Sequence, residues 1–441
     1  MIYKAKYILP MNGSVIEHGE VLVREGRIAA VGAELADMYP DEKVRDLGQC
    51  AILPGFVNAH SHIEPTFRRN TLDALNLWDW IEELGFRKNA APSRDLLRFS
   101  ALVGAAECAL SGITCVGDCS FSGAAVEAVA ETGLRGVVYL EMFGQSAGDQ
   151  FRALFDEKLE LVRELQTTAP ERLKIGISPH SVYTSDHGTF ELCVDACSRL
   201  GLPIAVHAAE TAAEIDYLLH GVGPIAEMRQ RMGYEPMVAG LTPVKYLGEI
   251  GLLREGICLA HCVHVSKDEI DFIAKSGASV AHCARSNAYL GSGIAPIVEL
   301  CAAGATVGLG TDSAASCMRL DFFEEMRFAL GMQRAYAKEA GVLTAKDVLK
   351  LATIGGAKAL GLAEHIGTLE PGKCADFIAV NISRMLPMED IFSAVISRAP
   401  SDVVLTVVDG VEVTKDRAPV LVDLEECRAR LAEYANGFRT G

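Results

Sequence analysis

Eight hydrophobic runs of strand length recur through the middle of the chain. They are AILPGFVNAH (51–60), ITCVGD (113–118), RGVVYLE (135–141), LKIGISPH (173–180), PIAVHAAE (203–210), ICLAHC (257–262), ASVAHC (278–283) and TVGLGTD (306–312). Their hydrophobicity is continuous rather than alternating, which is typical of parallel strands buried on both faces. Helical patterns separate them, for example at 94–112 and 185–201. The spacing predicts an α/β fold, a (β/α)₈ TIM barrel over residues 54–365, with a doubly wound open sheet as the alternative.

Both ends of the chain show a different pattern of short strands and turns. Residues 1–53 contain two runs that alternate around a Glu-Gly turn, and residues 366–420 contain an Asp-Gly hairpin signal. We expect the two ends to pair into one small composite β-sandwich domain. The tail, residues 421–441, predicts an amphipathic C-terminal helix. Two long connections, 61–95 and 211–250, are candidates for functional loops.

Histidines and one acid fall at the carboxyl ends of the predicted strands. Strand one ends in His60-Ser-His62, and later strands end in His180, His207, His261, His282 and Asp312. The carboxyl ends of barrel strands open toward one mouth, so residues placed there converge on a single site. This distribution predicts an active site at that face of the barrel.

Four of these residues, His60, His62, His207 and Asp312, are candidate metal ligands. His60 and His62 share one side of a strand because side chains alternate with a period of two. The four residues offer three nitrogens and one oxygen, which suits a borderline divalent cation and leaves a position for water. A bridging lysine at the end of strand four would indicate two metals, but Lys174 lies at the start of that strand. We therefore expect one cation, with satisfied core histidines as the alternative.

Three residues are candidates for acid–base and substrate roles. Glu210 lies three residues after the strand-five histidine, and a carboxylate beside an activated water can take and deliver its proton. A solvated glutamate at a helix start is the alternative for Glu210. His261 is expected to hydrogen-bond the activated water or Asp312, and His180 is expected to contact the substrate. Two further histidines have less defined roles. His264 is expected to be structural, and His282 either packs in the core or binds the metal.

Composition and charge restrict the partners. The 441 residues carry 41 Lys and Arg against 58 Asp and Glu, and the resulting net charge of −17 argues against nucleic acid or an anionic membrane as the main partner. The sequence predicts neither a signal peptide nor a membrane span. Thirteen cysteines without a C-x-x-C spacing indicate reduced thiols. We expect a cytoplasmic protein that acts on a small molecule.

Several longer motifs resemble those of the amidohydrolase superfamily. They are PGFVNAHSH (54–62), PHSVYT (179–184), HAAET (207–211), LAHCVHVS (259–266), HCARSNAYLGSGIAPI (282–297), GLGTDSAASCMRLDFFEEMRFA (308–329) and GTLEPGKCADFIAV (367–380). They extend over nearly the whole chain and are similar to the ATZ/TRZ-like branch, which includes S-adenosylhomocysteine and methylthioadenosine deaminases, guanine deaminases and triazine chlorohydrolases. The resemblance implies a barrel with a β-sandwich built from both termini, one divalent cation (zinc, with iron(II) or manganese(II) as alternatives), and a homodimer or larger homo-oligomer.

The resemblance also implies individual roles. It assigns the metal ligands to the four residues named above, the proton-shuttling glutamate to Glu210, the histidine beside the activated water to His261, and the purine contact to His180. The catalytic set is then Glu210, His261 and Asp312. The implied reaction is attack of a metal-activated hydroxide on C6 of a 6-aminopurine nucleoside, with release of ammonia. Candidate substrates are S-adenosylhomocysteine, methylthioadenosine, adenosine and aminodeoxyfutalosine.

Two other functions stay open. The first is the same chemistry on a different ring, with removal of an amine or chloride from guanine, cytosine or a triazine. The second is a catalytically inactive barrel that serves as a binding subunit.

The departures from the family pattern concern the substrate. The resemblance places Trp80, within LWDW (77–80), at the position of the tryptophan in the family's lid over the active site. Trp80 is therefore a predicted substrate contact. Strand three ends in LEMFG (140–144), which places Glu141 where a basic residue would help to bind a distal carboxylate. This run resembles N-E-V-[I/L]-G of aminodeoxyfutalosine deaminases. Arg152 is the cation expected to reach in from the following segment. The predicted substrate contacts are then His180, Trp80, Glu141, Arg152 and Glu210.

Overall fold

The computed structural model describes residues 1–71, 73–86, 92–144, 149–385 and 387–440. The strands are, in chain order, β1 (Ile2–Lys4), β2 (Tyr7–Ile8), β3 (Ile16–Glu17), β4 (Glu20–Arg24), β5 (Arg27–Gly32), β6 (Val44–Asp46), β7 (Cys50–Pro54), β8 (Phe56–His62), β9 (Ile113–Ser120), β10 (Arg135–Glu141), β11 (Leu173–Ser178), β12 (Ile204–Ala208), β13 (Ile257–His261), β14 (Ser279–His282), β15 (Thr306–Leu309), β16 (Asp312–Ser313), β17 (Phe377–Asn381), β18 (Val403–Val408), β19 (Val411–Lys415) and β20 (Ala418–Pro419).

The helices are, in chain order, α1 (Leu35–Met38), α2 (Leu77–Phe86), α3 (Arg94–Leu110), α4 (Ala124–Glu131), α5 (Asp149–Thr168), α6 (His187–Leu200), α7 (Ala212–His220), α8 (Pro224–Arg231), α9 (Pro243–Glu249), α10 (Lys267–Ser276), α11 (Ala284–Tyr289), α12 (Ile297–Ala302), α13 (Ala314–Cys317), α14 (Phe322–Ala337), α15 (Ala345–Lys350), α16 (Gly356–Ala359), α17 (Ile391–Ile396) and α18 (Leu424–Thr440). Within the described residues, no helix combines the length and the hydropathy that crossing a lipid bilayer requires.

The central sheet is parallel and its two edges meet. Its order is β15-β14-β13-β12-β11-β10-β9-β8-β16. The short strand β16 follows β15 after a two-residue break and pairs with Ser61 and His62 of β8, so the last strand returns to the first. The strands are buried almost throughout, as their continuous hydrophobicity predicted. The α/β class is confirmed, and the meeting edges agree with the predicted barrel rather than with an open sheet.

Strands from the two ends of the chain form two further sheets, in the orders β5-β4-β1-β6 and β20-β19-β18-β17-β7-β2-β3. Residues of both sheets share one hydrophobic cluster, among them Tyr3, Val21, Ile52, Phe377 and Leu405. The predicted Glu-Gly and Asp-Gly turns connect β4 to β5 and β18 to β19, with all four turn residues at positive φ. Positive φ at both central positions is the geometry of tight hairpin turns that match the twist of the strands.

The prediction of a single strand over residues 51–60 is wrong, because this run contains parts of two strands, β7 and β8. β7 belongs to the larger terminal sheet, where it pairs with β17, and β8 starts the barrel. Gly55 lies between them, and a Cβ atom there would lie 2.1 Å from the Thr114 side chain. Both strands are buried on both faces, so their hydrophobicity alone does not show where the chain leaves one sheet for the other.

The long connections contain helices rather than extended loops. Segment 61–95 holds a 3₁₀ turn (Glu64–Arg68) and α2, while its residues 72 and 87–91 lie outside the described residues. Segment 211–250 holds α7, α8 and α9. The C-terminal helix begins at Leu424 rather than at 421, because Asp423 caps it by accepting a hydrogen bond from the Glu426 amide at 3.0 Å.

Candidate active site

The four predicted metal ligands meet at the carboxyl ends of β8 and β12 and at the start of β16, the short strand that follows β15. Nε2 of His62 lies 3.2 Å from Nε2 of His207. The Oδ1 atom of Asp312 lies 3.7 Å from His62 Nε2 and 3.8 Å from His60 Nε2. Ligand atoms that each lie about 2.1 Å from one tetrahedral ion are about 3.4 Å apart. The spacing of these four side chains therefore fits a single cation.

The chemistry of the donors fits a cation as well. His60 is 2% exposed, and its Nε2 atom has no hydrogen-bond partner among the described residues. A buried polar atom without a partner is costly, and a metal ion would satisfy it. The nitrogens of His60, His207 and His261 also lie within 4.8 Å of one another, so His261 faces the same point.

Burial and neighbouring charges favour the protonation states that bind metal. Burial, reinforced by the other imidazoles, lowers the pKa of His60 well below its usual value and that of His207 to about 3. These two imidazoles are therefore neutral at physiological pH, and neutral imidazole is the form that ligates metals. Burial acts to raise the pKa of Asp312, but His62, His261 and a hydrogen bond from Ser286 outweigh it and the pKa is lowered. Asp312 is thus a carboxylate.

Strained backbone at the strand ends turns these side chains inward. His180, His261 and Asp312 have φ of +55°, +74° and +60°. Residues other than glycine rarely adopt this region, which costs about 1–3 kcal/mol each and is concentrated at functional sites. The His180 carbonyl, turned by this conformation, accepts hydrogen bonds from the His207 amide at 2.8 Å and from His207 Nδ1 at 2.9 Å. Nε2 of His207 is left to face the common point.

Glu210 lies beside this group rather than on the surface. It is 2% exposed, and its Oε2 atom is 3.8 Å from Nε2 of His261. Burial raises the pKa of Glu210 well above its usual value, and Asp312 raises it further. The Oε1 atom of Glu214, at the start of α7, accepts hydrogen bonds from the amides of Glu210 and Thr211 at 2.7 and 2.9 Å, which holds the Glu210 backbone in place.

A cavity of about 310 Å³ opens over this group. Four predicted substrate contacts line it: His180, Trp80, Glu141 and Glu210. Glu141 is 5% exposed, and its Oε1 atom has no hydrogen-bond partner among the described residues. That oxygen lies 3.6 Å from His62 Nδ1 and 3.7 Å from His180 Nε2. Glu141 therefore presents a buried acceptor at the floor of the cavity.

Comparison with known proteins agrees with this geometry. The family model described as the amidohydrolase family matches residues 51–413. The chain belongs to the amidohydrolase family. This amidohydrolase is 32% identical over 444 residues to a 5-methylthioadenosine/S-adenosylhomocysteine deaminase of Symbiobacterium thermophilum, covering 99% of this chain and 98% of the relative. A protein of the same name from Natronomonas pharaonis is 36% identical over 419 residues, with 93% and 91% covered.

Solved structures show the same fold. An adenosine deaminase from Xanthomonas campestris with bound zinc superimposes with a TM-score of 0.87 at 28% identity, covering 100% of this chain and 98% of that one. An atrazine chlorohydrolase from Arthrobacter aurescens complexed with zinc gives a TM-score of 0.85 at 24% identity, covering 98% and 99%. At 24% identity, the similarity to the atrazine chlorohydrolase shows only that the fold is shared.

One predicted substrate contact of this amidohydrolase, Arg152, is not brought to the cavity. Its side chain is 64% exposed and lies 4.0 Å from Asp156 one turn later on α5. An ion pair on the solvent face of a helix is the arrangement that the helical period gives residues four apart. The expectation that Arg152 reaches into the site is therefore wrong in this conformation.

The two histidines with open roles lie away from the cavity. His264 Nε2 donates to the Ser292 carbonyl at 2.7 Å, which agrees with a structural role. His282 is 1% exposed, and neither ring nitrogen has a hydrogen-bond partner among the described residues. It does not line the cavity. Burial lowers the pKa of His282 to about 3, so its ring is neutral.

Sequence reasoning missed the acids that support the ligand strand. Asp118, at the end of β9, accepts hydrogen bonds from the Ser61 hydroxyl at 2.8 Å and the Ile63 amide at 2.9 Å, on either side of His62. Glu64 is 2% exposed and accepts from the amides of Phe121 and Ser122, among others. Asp118 is the last residue of a predicted strand, as Asp312 is. This shared position was the sequence feature that could have identified Asp118 as a residue of the site.

Proposed function

We propose that this amidohydrolase is a metal-dependent hydrolytic deaminase of a 6-aminopurine nucleoside. The observation that carries the proposal is the convergence of three imidazoles and one carboxylate on a single point beneath the cavity, with buried Glu210 at its side. Full-length relatives named methylthioadenosine/S-adenosylhomocysteine deaminases support the choice of substrate. Enzymes of this kind hydrolyse carbon–nitrogen bonds other than peptide bonds.

In this proposal His60, His62, His207 and Asp312 hold one divalent cation. Zinc is the first choice because the set offers three imidazole nitrogens and one carboxylate oxygen, and because a solved relative carries zinc. Bound there, the cation supplies Lewis-acid activation of a water molecule.

The remaining residues bind the ring and move protons. Beside a bound cation, whose charge favours the ionised form, Glu210 would be a carboxylate despite its burial. It would take one proton of the attacking water and deliver it to the purine ring nitrogen next to C6. The C6–O bond forms, the C6–N bond breaks, and the second proton of the water leaves with the amine as ammonia. His261, whose Nε2 atom lies 3.8 Å from Glu210 Oε2, orients the water. His180 and Trp80 contact the purine nucleoside, and the unpartnered Oε1 of Glu141 accepts a hydrogen bond from it.

A substrate panel tests the proposal. Zinc-loaded protein is incubated with adenosine, 5′-methylthioadenosine, S-adenosylhomocysteine and aminodeoxyfutalosine, and loss of adenine absorbance is followed together with ammonia release. We expect turnover of at least one member, with equal amounts of ammonia and hypoxanthine-ring product. Absence of turnover across the panel, with one metal per chain verified, would contradict the proposal.

The alternative rings belong in the same experiment. Solved structures of triazine hydrolases and of Escherichia coli guanine deaminase share this fold at 20–24% identity. Guanine, cytosine and atrazine therefore form a second panel, and turnover confined to it would establish the alternative. An inactive barrel would bind no cation and turn over neither panel.

We further infer the organisation around the site. Residues 1–53 and 366–420 form a composite β-sandwich, 54–365 the barrel and 421–441 a C-terminal helical segment; residues 72, 87–91, 145–148, 386 and 441 of these ranges lie outside the described residues. The shared hydrophobic cluster of the terminal sheets supports the sandwich. A homo-oligomer, a cytoplasmic location and the absence of nucleic-acid and membrane partners stay predictions.

A further inference from the structure

Three consecutive residues at the start of α11 lie behind the catalytic groups. Ser286 and Asn287 contact Asp312 and His261, and Arg285 contacts α14. Arg285, Ser286 and Asn287 are each 0% exposed. None of them is among the residues that line the cavity in the described part of the chain. Any effect that they have on the reaction must therefore act through other side chains.

Ser286 contacts the far side of Asp312. Its hydroxyl donates to Asp312 Oδ2, and the Ser316 hydroxyl lies 3.0 Å from the same oxygen. The other carboxylate oxygen, Oδ1, faces His60 and His62. The two carboxylate oxygens therefore have different partners. Hydrogen bonds from the serines hold Oδ2, and this orients Oδ1 toward the position of the cation.

Asn287 contacts the far side of His261. Its Oδ1 atom lies 2.9 Å from His261 Nδ1. An amide oxygen only accepts, so Nδ1 carries the proton and Nε2 carries the lone pair. Nε2 is the atom that lies 3.8 Å from Glu210 Oε2. The asparagine therefore selects the tautomer whose basic nitrogen faces the proton-transferring carboxyl group.

Arg285 fixes the position of both residues. Its guanidinium pairs with Glu325 and Glu324 of α14, each at 2.8 Å, and donates to the Arg319 carbonyl at 2.7 Å. Charge-assisted hydrogen bonds of this kind are about twice as strong as neutral ones. Helix α11 is therefore held against α14 from the side opposite the catalytic groups.

We propose that Ser286 and Asn287 are positioning residues of this active site. Ser286 orients Asp312 toward the cation, and Asn287 fixes the tautomer of His261. The proposal rests on the proposed function for its catalytic consequence, but the hydrogen bonds and the tautomer can be measured without substrate.

The test of Asn287 compares Asn287→Ala with Asn287→Asp, which keeps an acceptor oxygen at the same place. Protein labelled with ¹⁵N-histidine is examined by NMR in the zinc-free state, and the His261 signals are assigned by their loss in His261→Gln. We expect one tautomer, protonated at Nδ1, in the parent protein and in Asn287→Asp, and a mixture in Asn287→Ala. The kcat of Asn287→Ala should fall about 10- to 100-fold with KM nearly unchanged, because Asn287 does not touch the substrate.

Gln333→Met is the matched control. Gln333 is a buried amide on α14 that donates to the Ala295 carbonyl at 2.8 Å, so its loss also removes one buried hydrogen bond. We expect Gln333→Met to lower stability without changing kcat or the His261 signals. If Asn287→Ala leaves kcat and the His261 signals as unchanged as this control does, Asn287 is merely structural. The same conclusion follows if His261 is protonated at Nε2 in the parent protein. Asn287→Ser, too short to reach Nδ1, replaces the alanine variant if that variant does not fold.

The test of Ser286 measures metal affinity directly. Ser286→Ala should weaken zinc binding about 10- to 100-fold in competition with a chelating dye, with activity recovered at excess zinc. Unchanged affinity would overturn the role of Ser286. If the tautomer and affinity results are as expected but no substrate is turned over, the proposed function fails and the positioning roles stand.

Discussion

Two imidazoles at the mouth of the barrel, those of His207 and His261, are oriented by the partner of the second ring nitrogen. His207 donates from Nδ1 to the His180 carbonyl, whereas His261 shares its Nδ1 proton with Asn287. His264 instead uses Nε2 to hold the Ser292 carbonyl. Because these second contacts decide which nitrogen faces the site, residue type alone does not separate a ligand from a structural histidine.

The ligand role of His207 leads to a first prediction. We expect His207→Ala to lose both bound zinc and activity, since it removes one of three nitrogen ligands. The measurement is metal per chain after dialysis, by elemental analysis. His264→Ala, which removes a histidine hydrogen bond away from the ligand group, should keep one zinc per chain. Equal metal content in the two variants would contradict the assignment.

Glu210 gives the second prediction because it is placed for proton transfer and not for ligation. Glu210→Gln keeps the shape of the side chain but cannot take a proton. We expect it to retain zinc and to lose about 10²–10⁴-fold in kcat, the usual contribution of general acid–base help. Steady-state kinetics on the best substrate, together with metal analysis, check this. A near-normal rate would mean that another group transfers the proton.

At the scale of the element, the loops that follow neighbouring strands share one opening. Phe121 follows β9 and Phe143 follows β10, and both line the cavity although they are 50% and 41% exposed. Their ring centroids are 5.9 Å apart, and the Phe143 ring is 4.8 Å from that of His180. Exposed aromatic rings at a cavity mouth indicate contact with an apolar part of a ligand.

The third prediction concerns this aromatic rim. Phe121→Ser should lower kcat/KM for 5′-methylthioadenosine about fivefold. The ring is half exposed in the free protein, so the bound substituent would bury about half of it, which contributes about 1 kcal/mol. Adenosine, which lacks the apolar substituent, should change by less than about twofold. Phe272→Ser is the control, since Phe272 is a similarly exposed phenylalanine on α10 at 40%. Equal effects on both nucleosides would show that the rim does not contact the substituent.

At the scale of the whole molecule, a buried ion pair connects the barrel to the terminal sheets. Arg135 begins β10 and is 7% exposed, and its Nε atom donates to Asp376 at 2.8 Å. It also pairs with Asp409 in the turn between β18 and β19. Asp376 is 3% exposed; burial raises the pKa of its carboxyl group, and the Arg135 guanidinium limits that rise.

The fourth prediction follows from that burial. Arg135→Met should lower the free energy of unfolding by about 3–5 kcal/mol, because Asp376 is left buried without its charge partner. Denaturant unfolding at fixed excess zinc measures the change. Arg152→Met removes an ion pair that is exposed on both sides and should cost less than about 1 kcal/mol. Similar losses in the two variants would contradict a role for burial.

The amino-acid sequence alone predicted the α/β class, the terminal strands with their two tight turns, and the side chains that converge at the mouth. It could do so because a parallel barrel buries its strands on both faces and directs their carboxyl ends to one side. The residues brought together by their position at or just after a strand end are therefore His60, His62, His207, Glu210 and Asp312.

The contacts that complete the site are visible only in the three-dimensional structure. It divided the run 51–60 between two sheets, turned Arg152 to solvent, and placed Asp118, Ser286 and Asn287 behind the catalytic groups. These outcomes depend on hydrogen bonds between residues far apart in the chain and on backbone conformations at positive φ. Neither leaves a periodic signal in the sequence, because periodicity reports which face of an element is buried and not what lies against it.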